Sequence, residues 1–183
     1  MKICIDPGHG MSNRSPGIYD PGAVNIENGF QFHEAAIALR YCLALKDILR
    51  TKAIDVFMTR DDDTDHTPVG QRASMAKKAG CDKLISIHLN DFDDDAANGL
   101  EVLYGNTASK PLAEKLQTEL LQITGMKDRK IKSRPELAVF KFQGIAVIIE
   151  LGFIANDNDR NKLINAQMRD AIVRKIADCA SVD

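Results

Sequence analysis

No run of lysine or arginine stands in this sequence, and its 24 basic side chains face 26 acidic ones, for a formal net charge of −2. Phosphate binding needs a basic face, so no nucleic acid partner is expected. No apolar stretch approaches the length that crosses a bilayer, and no membrane insertion is expected. Met1-Lys2 leads straight into a strand-like segment, without the apolar core and small-residue cleavage site of a signal peptide. The chain is therefore expected to be made in the cytoplasm, with any export supplied by another route. Tryptophan is missing, and the four cysteines, Cys4, Cys42, Cys81 and Cys179, form no Cys-x-x-Cys pair. Buried thiols are the expectation, because a core of this size needs no disulfide framework. Neither an internal repeat nor a low-complexity linker interrupts the chain. A single domain over residues 1–183 is expected.

What is present is an ordinary globular composition, 44% hydrophobic and 27% charged. Ile3-Cys4-Ile5-Asp6-Pro7-Gly8-His9-Gly10 reads as a short buried strand that stops at a proline and hands a histidine to a glycine-flanked turn. Residues 11–29 read as a long loop. A helix is predicted over Glu34–Arg50, with Ile37, Tyr41, Ala44, Leu45 and Ile48 on one face. Further strands are predicted at Ile54–Met58, Lys83–His88, Leu100–Tyr104, Ala138–Phe140 and Ile145–Ile149. Helices are predicted at Val69–Ala79, with Val69, Ala73 and Ala76 inward, and at Ala108–Thr124, Asp157–Ile164 and Gln167–Ala180. Residues 125–137, with Arg129, Lys130, Arg134 and Pro135, read as a polar loop, either a solvated connection or a substrate-facing one, and the acidic runs at Asp61–Asp65 and Asp91–Asp95 as solvated turns. Strands alternating with helices predict a single α/β domain, its twisted, mostly parallel sheet flanked by helices on both faces.

Three predicted strands run into His9, His88 and Glu150, and in a parallel sheet their C-terminal ends share one edge. Glu34, opening the first long helix, can join them there. Two histidines and one carboxylate form a known catalytic zinc set, and a second carboxylate nearby can move protons. No compact motif such as His-Glu-x-x-His supports this reading. His33 is set aside because it neighbours Glu34, and adjacent helix residues point about 100° apart. His66 lies in a polar loop and is also set aside. Asp6 could orient a ligand imidazole or serve the turn.

At these residues the sequence resembles the third family of zinc-dependent N-acetylmuramoyl-L-alanine amidases. The matches run in order along nearly the whole chain: Ile5–Gly10, Asp20–Ala23, Glu34, Thr59-Arg60, Gln71–Ala73, Ile85–Asn90, Gly99–Glu101, and Glu150–Ile154 with Asn156 and Asp159. Met11 stands where a glycine is common, and Ala155 replaces a usual serine. The resemblance implies Zn2+ held by His9, Glu34 and His88, with Glu150 as the catalytic acid/base. It implies hydrolysis of the amide between N-acetylmuramic acid and L-alanine in peptidoglycan. Asn90, Arg134 and Asn156 are the candidate substrate-binding residues.

Some family members carry an inserted helix after the second histidine that blocks their own zinc. The short His88–Gly99 connection has no room for one, which suggests an open, phage-lysin-like site. A monomer acting on peptidoglycan or muropeptides, in the periplasm or cell wall after release by another route, is the expectation. Two alternatives remain open at this point: a non-catalytic peptidoglycan-binding module of the same fold, and a zinc peptidase acting within the stem peptide.

Overall fold

Six strands make the main sheet of the computed structural model, which describes residues 1–92 and 96–182. In chain order they are β1 (Lys2–Pro7), β4 (Asp55–Met58), β5 (Lys83–Asn90), β6 (Leu100–Tyr104), β7 (Asp128–Ser133) and β8 (Ile145–Phe153). Their spatial order is β4-β1-β5-β8-β6-β7. The first four run parallel, β6 is antiparallel to β8, and β7 is parallel to β6. The helices are α1 (Glu34–Thr51), α2 (Arg72–Lys78), α3 (Lys110–Thr124), α4 (Asp157–Ile164) and α5 (Ala166–Ala180).

The central strands β1, β5 and β8 are buried on both faces, which is why their sequences are continuous apolar runs. Ile5, Ile85, Val147 and Val102 face α1, α3 and α5, whose buried stripes include Leu45, Leu116 and Ile176. Cys4, Leu84, Ala146 and Leu103 face the other way, onto Ala73 and Ala76 of α2 and onto Val139 and Phe142. That second layer is short. It covers only the lower part of the sheet face and leaves Ser86, His88 and Glu150 lining an open groove. Cys4, Cys42 and Cys179 are buried, as composition suggests, whereas Cys81 is only half-buried.

Four local expectations are corrected. Residues 24–33, partly read as loop, form the hairpin β2 (Val24–Glu27) and β3 (Phe30–His33). Asn28 and Gly29 both have positive φ at its turn, the geometry an Asn-Gly pair provides. Residues 128–133, expected as loop, form the edge strand β7. Its charges sit on the rim, where lysines also discourage pairing with other chains. Ala138–Phe140, expected as strand, belongs to a 3-10 turn over Ala138–Lys141. Val69 starts a 3-10 turn before α2 instead of lying in its first α-turn, and it is 56% exposed rather than inward. The Asp61–Asp65 loop is exposed, with Asp62 accepting backbone bonds from Thr64 and Asp65. Part of the Asp91–Asp95 run, residues 93–95, lies outside the described residues.

Candidate metal centre

His9 sits two residues past β1, in left-handed backbone with φ 58, and Gly10 follows at φ 83. A non-glycine residue is strained there, so the surroundings must hold it. Two buried guanidiniums do so. Arg60 donates through Nη2 to Gly8 O at 2.8 Å, and Arg72 donates to Pro7 O and His9 O, each at 2.6 Å. Arg72 is tied in turn to Asp6 at 3.0 Å. Asp6 also accepts from Thr59 and Ser86, both at 2.6 Å. Among the described residues its carboxylate bonds Thr59, Arg72 and Ser86 rather than an imidazole, so orienting a ligand falls to another residue.

That residue is Asp20. Its Oδ2 lies 2.8 Å from His9 Nδ1 and also accepts from Ser12 Oγ, while Oδ1 accepts from Gly22 N. Asp20 is brought beside the turn by paired backbone bonds with Gly10. With Nδ1 so engaged, His9 presents Nε2 to Glu34 Oε2 at 3.1 Å. The other Glu34 oxygen, Oε1, meets His88 Nδ1 at 2.9 Å. Glu34 opens α1 and is 3% exposed. Its carboxylate also accepts from Ala23 N at 2.9 Å and from Leu89 N at 3.0 Å. A helix N-terminus favours a negative charge at that position.

The sequence-predicted ligands therefore meet. One ligand atom from each of His9, Glu34 and His88 lies within 4.8 Å of the others. The imidazole centroids are 5.1 Å apart and nearly perpendicular. Glycines make the approach possible. A Cβ on Gly22 would lie 2.5 Å from Glu34 Oε2, and one on Gly8 would lie 2.5 Å from His88 Cε1. Two imidazoles and one carboxylate, packed this tightly and fixed from behind, suit a borderline divalent cation.

Electrostatics agree with the geometry. Burial works against protonating His9, but Glu34 and Asp20 outweigh it and push its pKa up to about 9. His88 is raised as well: burial opposes this, and Glu34 and Glu150 overcome it. Glu34 is driven well below the usual carboxylate range; burial resists, and the two imidazoles win. Glu150 behaves oppositely. Burial, with Glu34 and Glu101 nearby, raises it to about 7 despite the pull of His88. It is the register partner of His88 across β5 and β8, so the two side chains stand on one face.

The groove beside this cluster has a volume of about 290 Å³ and is walled by Val69, Leu137 and Val139, with His9, His88 and Glu150 at one end. Asn90 ends β5 near Glu101. Arg134 lies past β7, half-exposed, with Nε 2.5 Å from Glu136 Oε1. Asn156 caps α4, accepting from Asp159 N at 3.2 Å. None of Asn90, Arg134 and Asn156 lines the groove. Sequence reasoning assigned no role to Asp20, Arg60 or Arg72, although each lies in a quoted motif. It gave none to Glu101, which adjoins Glu150 across β6 and β8, and for the segment holding Arg129 it allowed either a solvated connection or a substrate-facing loop. Arg129 and Lys132 lie one strand further out, on β7.

Known proteins match nearly the whole chain. N-acetylmuramoyl-L-alanine amidase LytC of Bacillus subtilis is 31% identical over 180 residues, covering 96% of this chain and 34% of its own length. The catalytic domain of CwlV, an N-acetylmuramoyl-L-alanine amidase from Bacillus (Paenibacillus) polymyxa, superposes with a TM-score of 0.86. It is 28% identical, with 98% of this chain and 96% of that one covered. An N-acetylmuramoyl-L-alanine amidase from Clostridium difficile 630 gives a TM-score of 0.85 at 29% identity, over 98% and 94% of the two chains. The chain spans about a third to two thirds of the length of the first curated relatives it matches. Residues 3–181 match the family profile described as N-acetylmuramoyl-L-alanine amidase, and the chain belongs to that family.

Proposed function

We propose that this chain is a zinc-dependent hydrolase that cuts the amide between N-acetylmuramic acid and L-alanine in peptidoglycan. One observation carries the reading: a raised carboxyl, Glu150, stands in register beside His88 of a three-residue ligand cluster. Family membership supplies the substrate class. His9, Glu34 and His88 would hold the ion. When bound, zinc supplies Lewis acidity and brings the pKa of water from ~15.7 toward ~7.

The chain's own residues do the rest. Asp20 fixes the His9 ring so that Nε2 faces the site. Glu34 bridges both imidazoles and fixes their separation. Glu150, with a pKa of about 7, takes a proton from the attacking water and returns it to the departing amine nitrogen of alanine. That nitrogen leaves as a neutral amine rather than an amide anion. Val69, Leu137 and Val139 supply an apolar wall along the groove. Among the described residues no helix lies between His88 and Gly99, which supports an open site controlled by delivery. Action in the periplasm or cell wall, as a monomer, belongs to the same proposal.

The test is digestion of purified peptidoglycan by zinc-loaded protein with no partner added. Fresh N-terminal alanine, with muramic acid left bare in the mass spectrum, is the expected result. Cuts only within the stem, or none, would remove the proposal.

A further inference from the structure

Past Glu150, outside the residues that line the groove, the sheet continues through β6 to its edge at β7. Glu101 on β6 is the antiparallel register partner of Glu150, so the two carboxyls stand side by side. Glu101 Oε2 accepts from Lys132 Nζ at 2.5 Å and from Arg129 Nε at 3.0 Å, both on β7. Arg129 is held a second way, its guanidinium 4.7 Å from the Phe153 ring centre. The Lys132 side chain is 41% exposed. One carboxylate shared by two cations leaves a net positive charge there. On the inner side, Asn90 leans toward Glu101, yet its buried Nδ2 meets no acceptor at hydrogen-bond geometry.

The order of strands gives the substrate a direction. His9 and His88 lie on β1 and β5 side, then comes Glu150 on β8, then Glu101 on β6, then the cations on β7. With Glu150 facing the departing amine, a leaving peptide that crosses β6 passes Glu101 and meets the cations of β7. In a stem peptide the alanine is followed by a γ-linked acidic residue whose α-carboxyl is either free or amidated. That group lies roughly 5–7 Å beyond the scissile nitrogen at ~3.5 Å of chain per residue. Strands are ~4.8 Å apart, so β7 lies ~10 Å from β8, and a lysine side chain spans the remainder.

Resting on the hydrolytic reading above, the geometry points to Lys132, backed by Arg129 and Asn90, as the receptor for the free α-carboxylate of the second stem residue. Asn90 supports Glu101 from the buried side. Glu101 is a positioning residue that holds the two cations on the groove side. The enzyme therefore prefers stems with a carboxylate at that position over stems with an amide.

The experiment uses two soluble muropeptides that differ only in that carboxyl, free or amidated, with zinc-loaded full chain. Wild type is expected to favour the free form in kcat/KM by roughly fivefold, the size of an exposed charge pair. The difference should lie mainly in KM and shrink with added salt. Lys132→Ala should bring the ratio to about one, and Lys132→Arg should restore it. Equal rates on both substrates in wild type would overturn the inference. So would a Lys132→Ala protein that melts lower but keeps the preference, since the cations would then only neutralise Glu101. Binding of the two free stem peptides is measured alongside. If wild type cleaves neither muropeptide yet binds the free-carboxyl peptide better through Lys132, the hydrolytic reading fails and this one stands.

Discussion

Asp20 Oδ2 lies 2.8 Å from His9 Nδ1, and the opposite ring nitrogen of His9 lies 3.1 Å from Glu34. The carboxylate thus chooses which nitrogen faces the site. Asp20→Ala should weaken zinc affinity about 10- to 100-fold, the usual loss for a group that orients a ligand histidine. Competition against a chromogenic chelator measures it. Wild-type affinity in the variant would mean that the ring is fixed by something else.

Zinc binding should expel protons. With the imidazole pushed to about 9, His9 is protonated at pH 7 in chelator-stripped protein, and a metal ligand must be neutral. Uptake at pH 7 should release about one proton, from His9. Apparent affinity should climb with pH up to about 9 and flatten above it. Calorimetry in buffers of different protonation enthalpy reads the number directly, and identical heats in all buffers would contradict it.

Glu150→Gln should keep zinc and lose turnover by roughly 10²- to 10⁴-fold, the usual worth of a positioned acid/base. A stability effect should accompany it in stripped protein. The folded-state pKa of about 7 lies above the ordinary 4.5, so the native state holds a proton that the unfolded chain has released. Native stability from this group is therefore present below about pH 4.5 and is lost as pH rises through about 7. The glutamine variant should gain on wild type by on the order of 1–3 kcal/mol between pH 4.5 and 8. Urea melts at both ends of that range test it, and parallel pH profiles would argue against the raised value.

The buried pair Asp6–Arg72 should matter for folding more than for chemistry. Both side chains are almost wholly enclosed, at 2% and 3% exposure. Arg72→Met strands a buried carboxylate and should cost about 3–5 kcal/mol. Adding Asp6→Asn should recover part of that loss, because the stranded charge is then gone. A double-mutant cycle by denaturant unfolding gives the coupling, and strict additivity would show the two to be independent.

Gly22→Ala should abolish tight zinc binding with little loss of secondary structure. The backbone at φ 68 disfavours a side chain, and the added carbon would lie 2.5 Å from the Glu34 oxygen. Zinc titration with parallel circular dichroism separates the site from the fold.

The sequence exposed the elements whose pattern is local. α4 begins and ends at the residues its caps suggest, and α1 follows its apolar stripe to within one residue of its expected end. Three of the candidate site residues were legible because continuous apolar runs end at or just before His9, His88 and Glu150, and a parallel sheet gathers such ends; Glu34 was placed only by its position at the start of α1. β7 was hidden because Ile131 is its single apolar member and charged residues fill the rest of that edge strand. The hairpin turn at Asn28-Gly29 did carry a signal, masked by the loop-like residues before it. Roles for Asp20, Arg60 and Arg72 could not be read from spacing. They depend on which nitrogen or carbonyl a side chain meets, and residues far apart in the chain decide that.

Arg60 and Arg72 together take the carbonyls of three consecutive residues, Pro7, Gly8 and His9. The bend that presents His9 is thus cross-braced by permanent cations of the protein itself. Exchanging one bound ion for another should leave the polypeptide path unaltered. Cobalt could then replace zinc as an optical reporter of the coordination sphere, without any refolding step.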